Sequence, residues 1–315
     1  MAYSSQSAQP VAVRPTTGGR PAATARLRRL LPYAFMALPV IYLAVFMFWP
    51  LGRQIWLSFT RTRLANPNRS EFIGLRNYER LFDSPDFYSA LYVTLVYSAL
   101  AVVIGVAIGT VAALALNRPF PGRTLVRAIL LFGWAVPNVA AALVWLWIFN
   151  ERSGVLNSIV TSLGLERISW LTSTDMALSS VLLVTVWQVA PFVMLVMLAA
   201  LQSVPQEVKE AARVDGADAL NIFRAVTLPH VMPTLQLVSL LVAVWSIRRF
   251  DIIYLLTGGG PIGSTSTLIV KLRQVAFENH DLGLASAYGV IGLILALLVA
   301  AIHAAFNRRR QKGQS

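Results

Sequence analysis

Six stretches of this chain approach or exceed the roughly twenty residues that an α-helix needs to cross bilayer hydrocarbon, and none carries Asp, Glu, Lys or Arg inside. They are Leu30–Leu51, Phe87–Leu116, Ala128–Phe149, Met176–Val204, Val231–Ile247 (the shortest) and Leu282–Phe306. The apolar residues are concentrated in these runs and not spread along amphipathic patterns. Composition agrees, with 56% hydrophobic and 13% charged residues against about 45–50% and about 25% in soluble domains. The chain is therefore read as an all-α membrane protein with about six transmembrane helices, an even number that puts both termini on one side. A cleaved signal peptide is the competing reading of the first run. Leu30–Leu51 is long for a signal core, however, and ends in Trp-Pro-Leu-Gly-Arg in place of a small-residue cleavage site.

The formal net charge of +13 would fit a nucleic-acid binder, but the basic residues sit in the tails and short connections. Membrane proteins keep Lys and Arg there to set orientation. The clusters Arg26-Leu-Arg28-Arg29 and Arg308-Arg309-Arg310 flank the first and last runs, which favours cytoplasmic termini. Nucleic acid is not an expected partner; membrane lipid is. Residues 1–29, rich in Ser, Pro, Thr, Gly and Ala and free of acidic residues, read as a disordered basic tail. Residues 30–86 read as the first span with an extracytoplasmic loop, 87–306 as the core, and 307–315 as a second basic tail. The absence of cysteine excludes disulfides, thiolate catalysis and cysteine-ligated metals.

Prolines recur in or beside the spans at Pro39, Pro50, Pro137, Pro191, Pro229 and Pro233. They survive there where neighbouring helices or a cavity satisfy the freed backbone groups, which fits kinked packing around a pathway. Gly105 and Gly109 form a small-residue pair that would let another helix approach closely.

The most distinctive segment is the connection at 205–229. Pro205 suits the first position of a helix, Glu207 supplies first-turn negative charge, and the helix is expected to end near Val214. Gly216 then permits a tight turn, and a second helix from about Ala217 is expected to end near Pro229. Val208, Ala211, Ala212 and Val214 give this knob an apolar side, with Glu207, Glu210 and Asp215 as charged contacts. Such a knob suits docking in a groove of another protein. An amphipathic connection lying on the lipid surface is the alternative.

The run Glu210-Ala211-Ala212, then Gly216, then Val226-x-Leu228-Pro229 resembles the coupling loop of ATP-binding-cassette importer permeases. Two further segments, Phe72-Ile-Gly-Leu-Arg-Asn-Tyr78 and Phe250-Asp251-Ile-Ile-Tyr254 continuing to Gly258-Gly-Gly-Pro261, resemble the carbohydrate-uptake branch, in particular the first permease subunit of maltose-type and glycerol-phosphate-type systems. The resemblance implies a type I importer transmembrane domain. It also implies a second permease subunit, two ATP-binding subunits and an extracytoplasmic solute-binding protein as partners. This chain would carry no cofactor, with ATP and Mg bound by the ATPase. The coupling positions are then Glu210, Ala211, Ala212, Asp215, Gly216, Leu228 and Pro229. The solute-lining positions implied are Thr185, Val189 and Phe192 on the fourth span and Val242 and Ser246 on the fifth. Gln188, Arg249 and Asp251 are nearby polar candidates, with Trp187 as an aromatic one.

Other chemistries find little support. Gly258 to Ser264 is a near miss to a phosphate-binding loop but lacks the lysine. His230, His280 and His303 fall in no metal motif, and no nucleophile–base pair stands out. The rival from another class is a self-sufficient carrier or channel, which would ordinarily place ionisable residues within its spans; only His303 stands in one.

Overall fold

The computed structural model describes residues 33 and 35–312. The expectation of a disordered tail at 1–29 lies outside the described residues, as does the start of the first run. Among the described residues five helices are long and apolar enough to cross a membrane by themselves: α1 (Phe35–Ser58), α3 (Pro85–Asn117), α7 (Ala177–Gln202), α9 (Ala219–Ile247) and α12 (Leu282–Ala305 as the apolar part of a helix that continues to Lys312). Between α1 and α3 lie a two-stranded antiparallel hairpin, β1 (Thr60–Thr62) and β2 (Ser70–Phe72), and the short helix α2 (Arg76–Phe82). The remaining helices are α4 (Arg123–Ala135), α5 (Asn138–Ile148), α6 (Val155–Ser162), α8 (Gln206–Val214), α10 (Asp251–Thr257) and α11 (Leu268–Phe277).

Four expectations change. The expected single span Ala128–Phe149 is two helices, α4 and α5, bent by 100°. A sixth span exists only if this pair is one broken span. The cause is Pro137, which disfavours helical geometry in the preceding residue; Val136 is extended at ψ 129°. Second, the segment after Gly216 does not end at Pro229 but runs on as α9 to Ile247. It shifts to π-helical spacing over Phe223–Thr227, two residues short of Pro229. The same device appears in α1, where Ala44–Phe48 is π-helical just before Pro50. A proline leaves a carbonyl one turn earlier without its usual donor, and a π turn changes the spacing there so that the helix continues. Third, α1 extends seven residues beyond Leu51, to Ser58. Fourth, the expected basic tail at 307–315 is helical as far as Lys312.

The most extensive helix pair is α3 with α7. Glycine makes it close: a Cβ on Gly109 would sit 2.5 Å from the Val193 Cβ and 2.7 Å from the Ala190 carbonyl. The Gly105/Gly109 pair is thus spent on packing within the chain. Three apolar clusters follow from this axis. One joins α3, α5, α7 and α10 through Tyr97, Ala142, Val184 and Ile252. A second joins α3, α7 and α9 through Val106, Val193, Met197 and Val238. The third joins α2, α3, α11 and α12 through Leu81, Phe87, Val275 and Tyr288.

The segment Phe72–Tyr78 has a structural task. Buried Asn77 donates from Nδ2 to the Ser58 and Thr60 carbonyls at 2.9 and 2.8 Å, and the Tyr78 hydroxyl bonds the Ser58 hydroxyl at 2.7 Å. These bonds clamp the end of α1 and the hairpin to α2. Arg80 and Asp281 pair at 3.0 Å and Arg63 bridges Asp281 along the backbone, so the first and last long connections share one side of the molecule.

Candidate functional site

Two regions gather the residues that sequence reasoning selected. The first is the knob between α7 and α9. Helix α8 ends at Val214, and Gly216 turns the chain with φ +83°, a left-handed conformation that residues with a Cβ rarely adopt. The backbone closes the turn through Gly216 N–H to the Arg213 carbonyl and Ala217 N–H to the Ala212 carbonyl. Asp218 then caps α9, its carboxylate accepting from the Asn221 N–H at 2.7 Å. That cap was not singled out from sequence, although an acidic residue ahead of an apolar helix is the signal that would have found it.

Glu207, Glu210, Ala211, Asp215, Gly216 and Pro229 are all exposed, while Ala212 and Leu228 are half-buried. Large apolar side chains share this exposure: Val214 is 88% exposed, and Val208 and Leu220 about half. A short amphipathic helix that leaves valines and carboxylates bare on one knob presents a surface for association.

The second region lies where α4 breaks into α5 and faces α7 and the end of α9. Gln188 donates from Nε2 to the Val136 carbonyl at 3.2 Å and to Asn138 Oδ1 at 2.9 Å. It thereby satisfies a carbonyl that the break leaves without a helical partner. Arg249 donates to Gln188 Oε1 at 2.6 Å, and Asn138 donates to Asp251 Oδ2 at 3.2 Å. Arg249 and Asp251, two residues apart, are thus joined through two amides. Among the described residues no ion pair joins them.

Beside this polar chain lies an aromatic one. Phe192, four residues beyond Gln188, stacks on Trp134 with centroids 5.7 Å apart and meets Trp245 at 5.0 Å. Trp245 stands four residues before Arg249, and both it and Trp134 are partly exposed. The approach of α4 to α7 depends on Gly133, whose Cβ would come within 2.9 Å of the Trp187 carbonyl. That carbonyl is the one Pro191 leaves without an N–H partner.

The other selected residues are placed differently. Thr185 is buried and shares a 2.7 Å hydrogen bond with the Tyr97 hydroxyl. Val189 packs against Gly105, and Val242 is fully enclosed among α3, α7 and α9. Ser246 is buried with its hydroxyl unpartnered. The structure therefore brings Gln188, Phe192, Arg249 and Asp251 to one cluster and sets Thr185, Val189, Val242 and Ser246 behind it in the packing. Asn138, Trp134 and Trp245 belong to the same cluster and were not selected from sequence. Their proximity depends on the α4–α5 break, which only Pro137 announced.

Comparison with known proteins places the chain in a family. Residues 105–312 match the model for the binding-protein-dependent transport system inner membrane component. The trehalose/maltose transport system permease protein MalF of Thermococcus litoralis is 35% identical over 277 residues, which cover 88% of this chain and 93% of that one. The sulfoquinovosyl glycerol transport system permease protein SmoG of Agrobacterium fabrum is 34% identical over 275 residues, 87% and 89% of the two chains. The sn-glycerol-3-phosphate transport system permease protein UgpA of Yersinia pestis is 32% identical over 289 residues, 90% and 96%. A chain from the crystal structure of a bacterial ABC transporter involved in import of the acidic polysaccharide alginate superposes with a TM-score of 0.80 at 23% identity, over 92% of this chain and 99% of that one, and shows the same fold. The chain belongs to the binding-protein-dependent transport system inner membrane components, as a multi-pass permease of the ABC importer type.

Proposed function

We propose that this chain is the first permease subunit of an ATP-driven importer for a sugar-like solute, docked on a separate ATPase through the knob at 205–229. The observation that carries the reading is the knob itself, a capped two-helix turn that leaves Val208, Glu210 and Val214 all exposed. Seated in an ATPase groove, the apolar side chains would lose their water and Glu210 would meet a basic partner. The turn at Gly216, with Leu228 and Pro229 leading into the span, would transmit closure of ATP-loaded subunits to α7 and α9.

Support for the solute class comes from two sources. The relatives are named for trehalose and maltose, sulfoquinovosyl glycerol and glycerol phosphate, all polyhydroxylated. The central cluster offers what such a solute needs: the aromatic faces of Phe192 and Trp245 and the hydrogen-bonding groups of Gln188, Arg249 and Asp251. Thr185, Val189, Val242 and Ser246 form its backing, and rearrangement at the α4–α5 break would bring them toward the solute. The complete assembly adds a second permease, two ATPase subunits that bind ATP and Mg, and an extracytoplasmic binding protein. Both termini lie in the cytoplasm with the knob.

Reconstitution in vesicles tests this. ATP hydrolysis should rise with loaded binding protein only when the second permease and the ATPase are present. Turnover of ATP by this chain alone, or uptake that persists after ATP depletion with an ion gradient intact, would overturn the assignment.

A further inference from the structure

The glycine-rich connection between α10 and α11, which matches no nucleotide-binding pattern, forms one wall of a cavity of about 730 Å³. The first turns of α3 form the other wall, with Asp86, Ser89 and Tyr92 on it. Helices α3 and α7 run in the same direction, since Tyr97 meets Thr185 and Gly109 meets Val193. The cavity at the start of α3 and the knob at the end of α7 therefore lie at opposite ends of the helix pair. With the knob on the ATPase, the cavity opens on the side from which solute arrives.

The wall is built and held. Thr265, wholly buried, bonds the Thr257 hydroxyl at 2.7 Å and donates to the Gly260 carbonyl at 2.8 Å. Gln274 donates to the Gly258 carbonyl at 3.3 Å, and the Leu268 N–H donates to the Thr94 hydroxyl of α3 at 2.9 Å. Gly259 adopts φ +95°, and a Cβ there would lie 2.9 Å from a Val270 methyl. The loop is thus packed against α11.

Within this frame hydrogen-bonding capacity is left over. Ser264 and Ser266 both line the cavity, Ser266 is only 9% exposed, and the buried Oγ atoms of both make no hydrogen bond with the protein. Buried hydroxyls are ordinarily satisfied, so two idle ones on one cavity wall call for a partner. A serine Oγ needs only a change of χ1 rotamer to turn toward the cavity. Opposite them Tyr92 presents a ring that is 68% exposed, Ala90 and Val93 supply apolar surface, and Lys271 paired with Asp86 sets a charged edge. Both charges of that edge are already matched, so the site has no excess charge to claim an ionic ligand. A face for stacking, neutral hydroxyls and a volume within the roughly 300–1,000 Å³ of small-molecule sites describe a receptor for a polyhydroxylated ring.

We infer that this cavity is a second, outer solute subsite that takes a pyranose-type ring before it reaches the central cluster. The inference rests on the importer reading for its direction of traffic. The natural cysteine content of zero makes the test direct, because a single introduced cysteine reports its own accessibility. Ser264→Cys and Ser266→Cys are placed separately in the complete importer in vesicles, without ATP, and their modification by a small thiol reagent is timed with trehalose as the probe. The control is Ser162→Cys at the exposed end of α6. A subsite with Kd of about 10 mM should slow labelling about tenfold at about 0.1 M trehalose, by simple occupancy. Glycine betaine at equal molality should have no effect, and Ser162→Cys should be slowed by neither.

Absence of trehalose protection at both positions, or equal slowing by betaine, overturns the subsite. So does protection by unloaded binding protein alone, which would make the cavity a protein-docking surface, and so does complete inertness of both cysteines because neighbouring subunits fill it. ATP-driven uptake by the same preparations is scored separately. Trehalose protection without ATP-dependent uptake would keep the cavity and sink the importer reading, while uptake without protection would do the reverse.

Discussion

The knob at 205–229 and the cluster around Gln188 are built on opposite principles. The knob is made of neighbours: a helix, a turn closed by bonds across three and five residues, and a cap across three. Its side chains stand in water, with Val214 88% exposed. The cluster is made of strangers. Its hydrogen bonds join residues 50, 61 and 113 positions apart, through buried Gln188, half-buried Arg249 and Asp251, and exposed Asn138. A surface assembled locally keeps its shape when a partner is absent, which suits a part that docks. A cluster assembled across helices changes whenever those helices move, which suits a part that must admit and release a solute.

Four substitutions can break or sharpen that contrast. The largest effect is expected from Gly216→Val, because a β-branched residue at φ +83° costs about 1–3 kcal/mol of backbone strain in a turn with few contacts to hold it. Uptake per inserted molecule should fall to background while membrane levels stay normal; full uptake would mean that the turn's geometry is unimportant. Gln188→Leu comes next. It leaves the Val136 carbonyl, the Asn138 amide and Arg249 each short of a partner, at about 1–3 kcal/mol for every group left buried and unsatisfied. Here, unlike at the knob, the solubilised protein should also melt earlier. An unchanged melting temperature would show that the cluster does not brace the α4–α5 break.

Asp218→Ala removes one cap, worth about 1 kcal/mol. Amide exchange over Ala219–Ile222 should quicken, with uptake reduced less than in Gly216→Val; unchanged exchange would mean that the cap contributes nothing. Arg224→Gln, exposed and outside the knob's turn, should alter uptake by less than about twofold, within the ±0.5 kcal/mol of ordinary surface changes. A larger loss would enlarge the coupling surface beyond the residues assigned to it.

The same contrast explains what the sequence made legible. Uncharged runs located the spans, and Pro205, Gly216 and the spacing to Pro229 located the knob, because helix starts and left-handed turns obey local rules. Pro229 misled, since a proline looks like an end until a π turn ahead of it lets the helix continue. Pro137 was visible, but its 100° consequence was not, because the bend is held by a glutamine on another helix. The aromatic cluster was half-legible for the same reason. Phe192 was selected, whereas Trp134 and Trp245 join it only through the break and the packing of Gly133 on α7.

The central claim, that the knob is where the ATPase is gripped, is tested most directly by capture. Wild-type and Glu210→Lys chains, inserted to equal levels and solubilised with the second permease, are titrated with purified ATPase subunits. Glu210 is exposed, and among the described residues its carboxylate makes no hydrogen bond or ion pair, so insertion and folding should be unaffected. If the residue becomes one half of a buried ion pair on docking, its loss costs about 3–5 kcal/mol and the reversed charge adds repulsion, which amounts to at least about a hundredfold weaker capture. Capture of the Glu210→Lys chain at wild-type affinity would contradict the account.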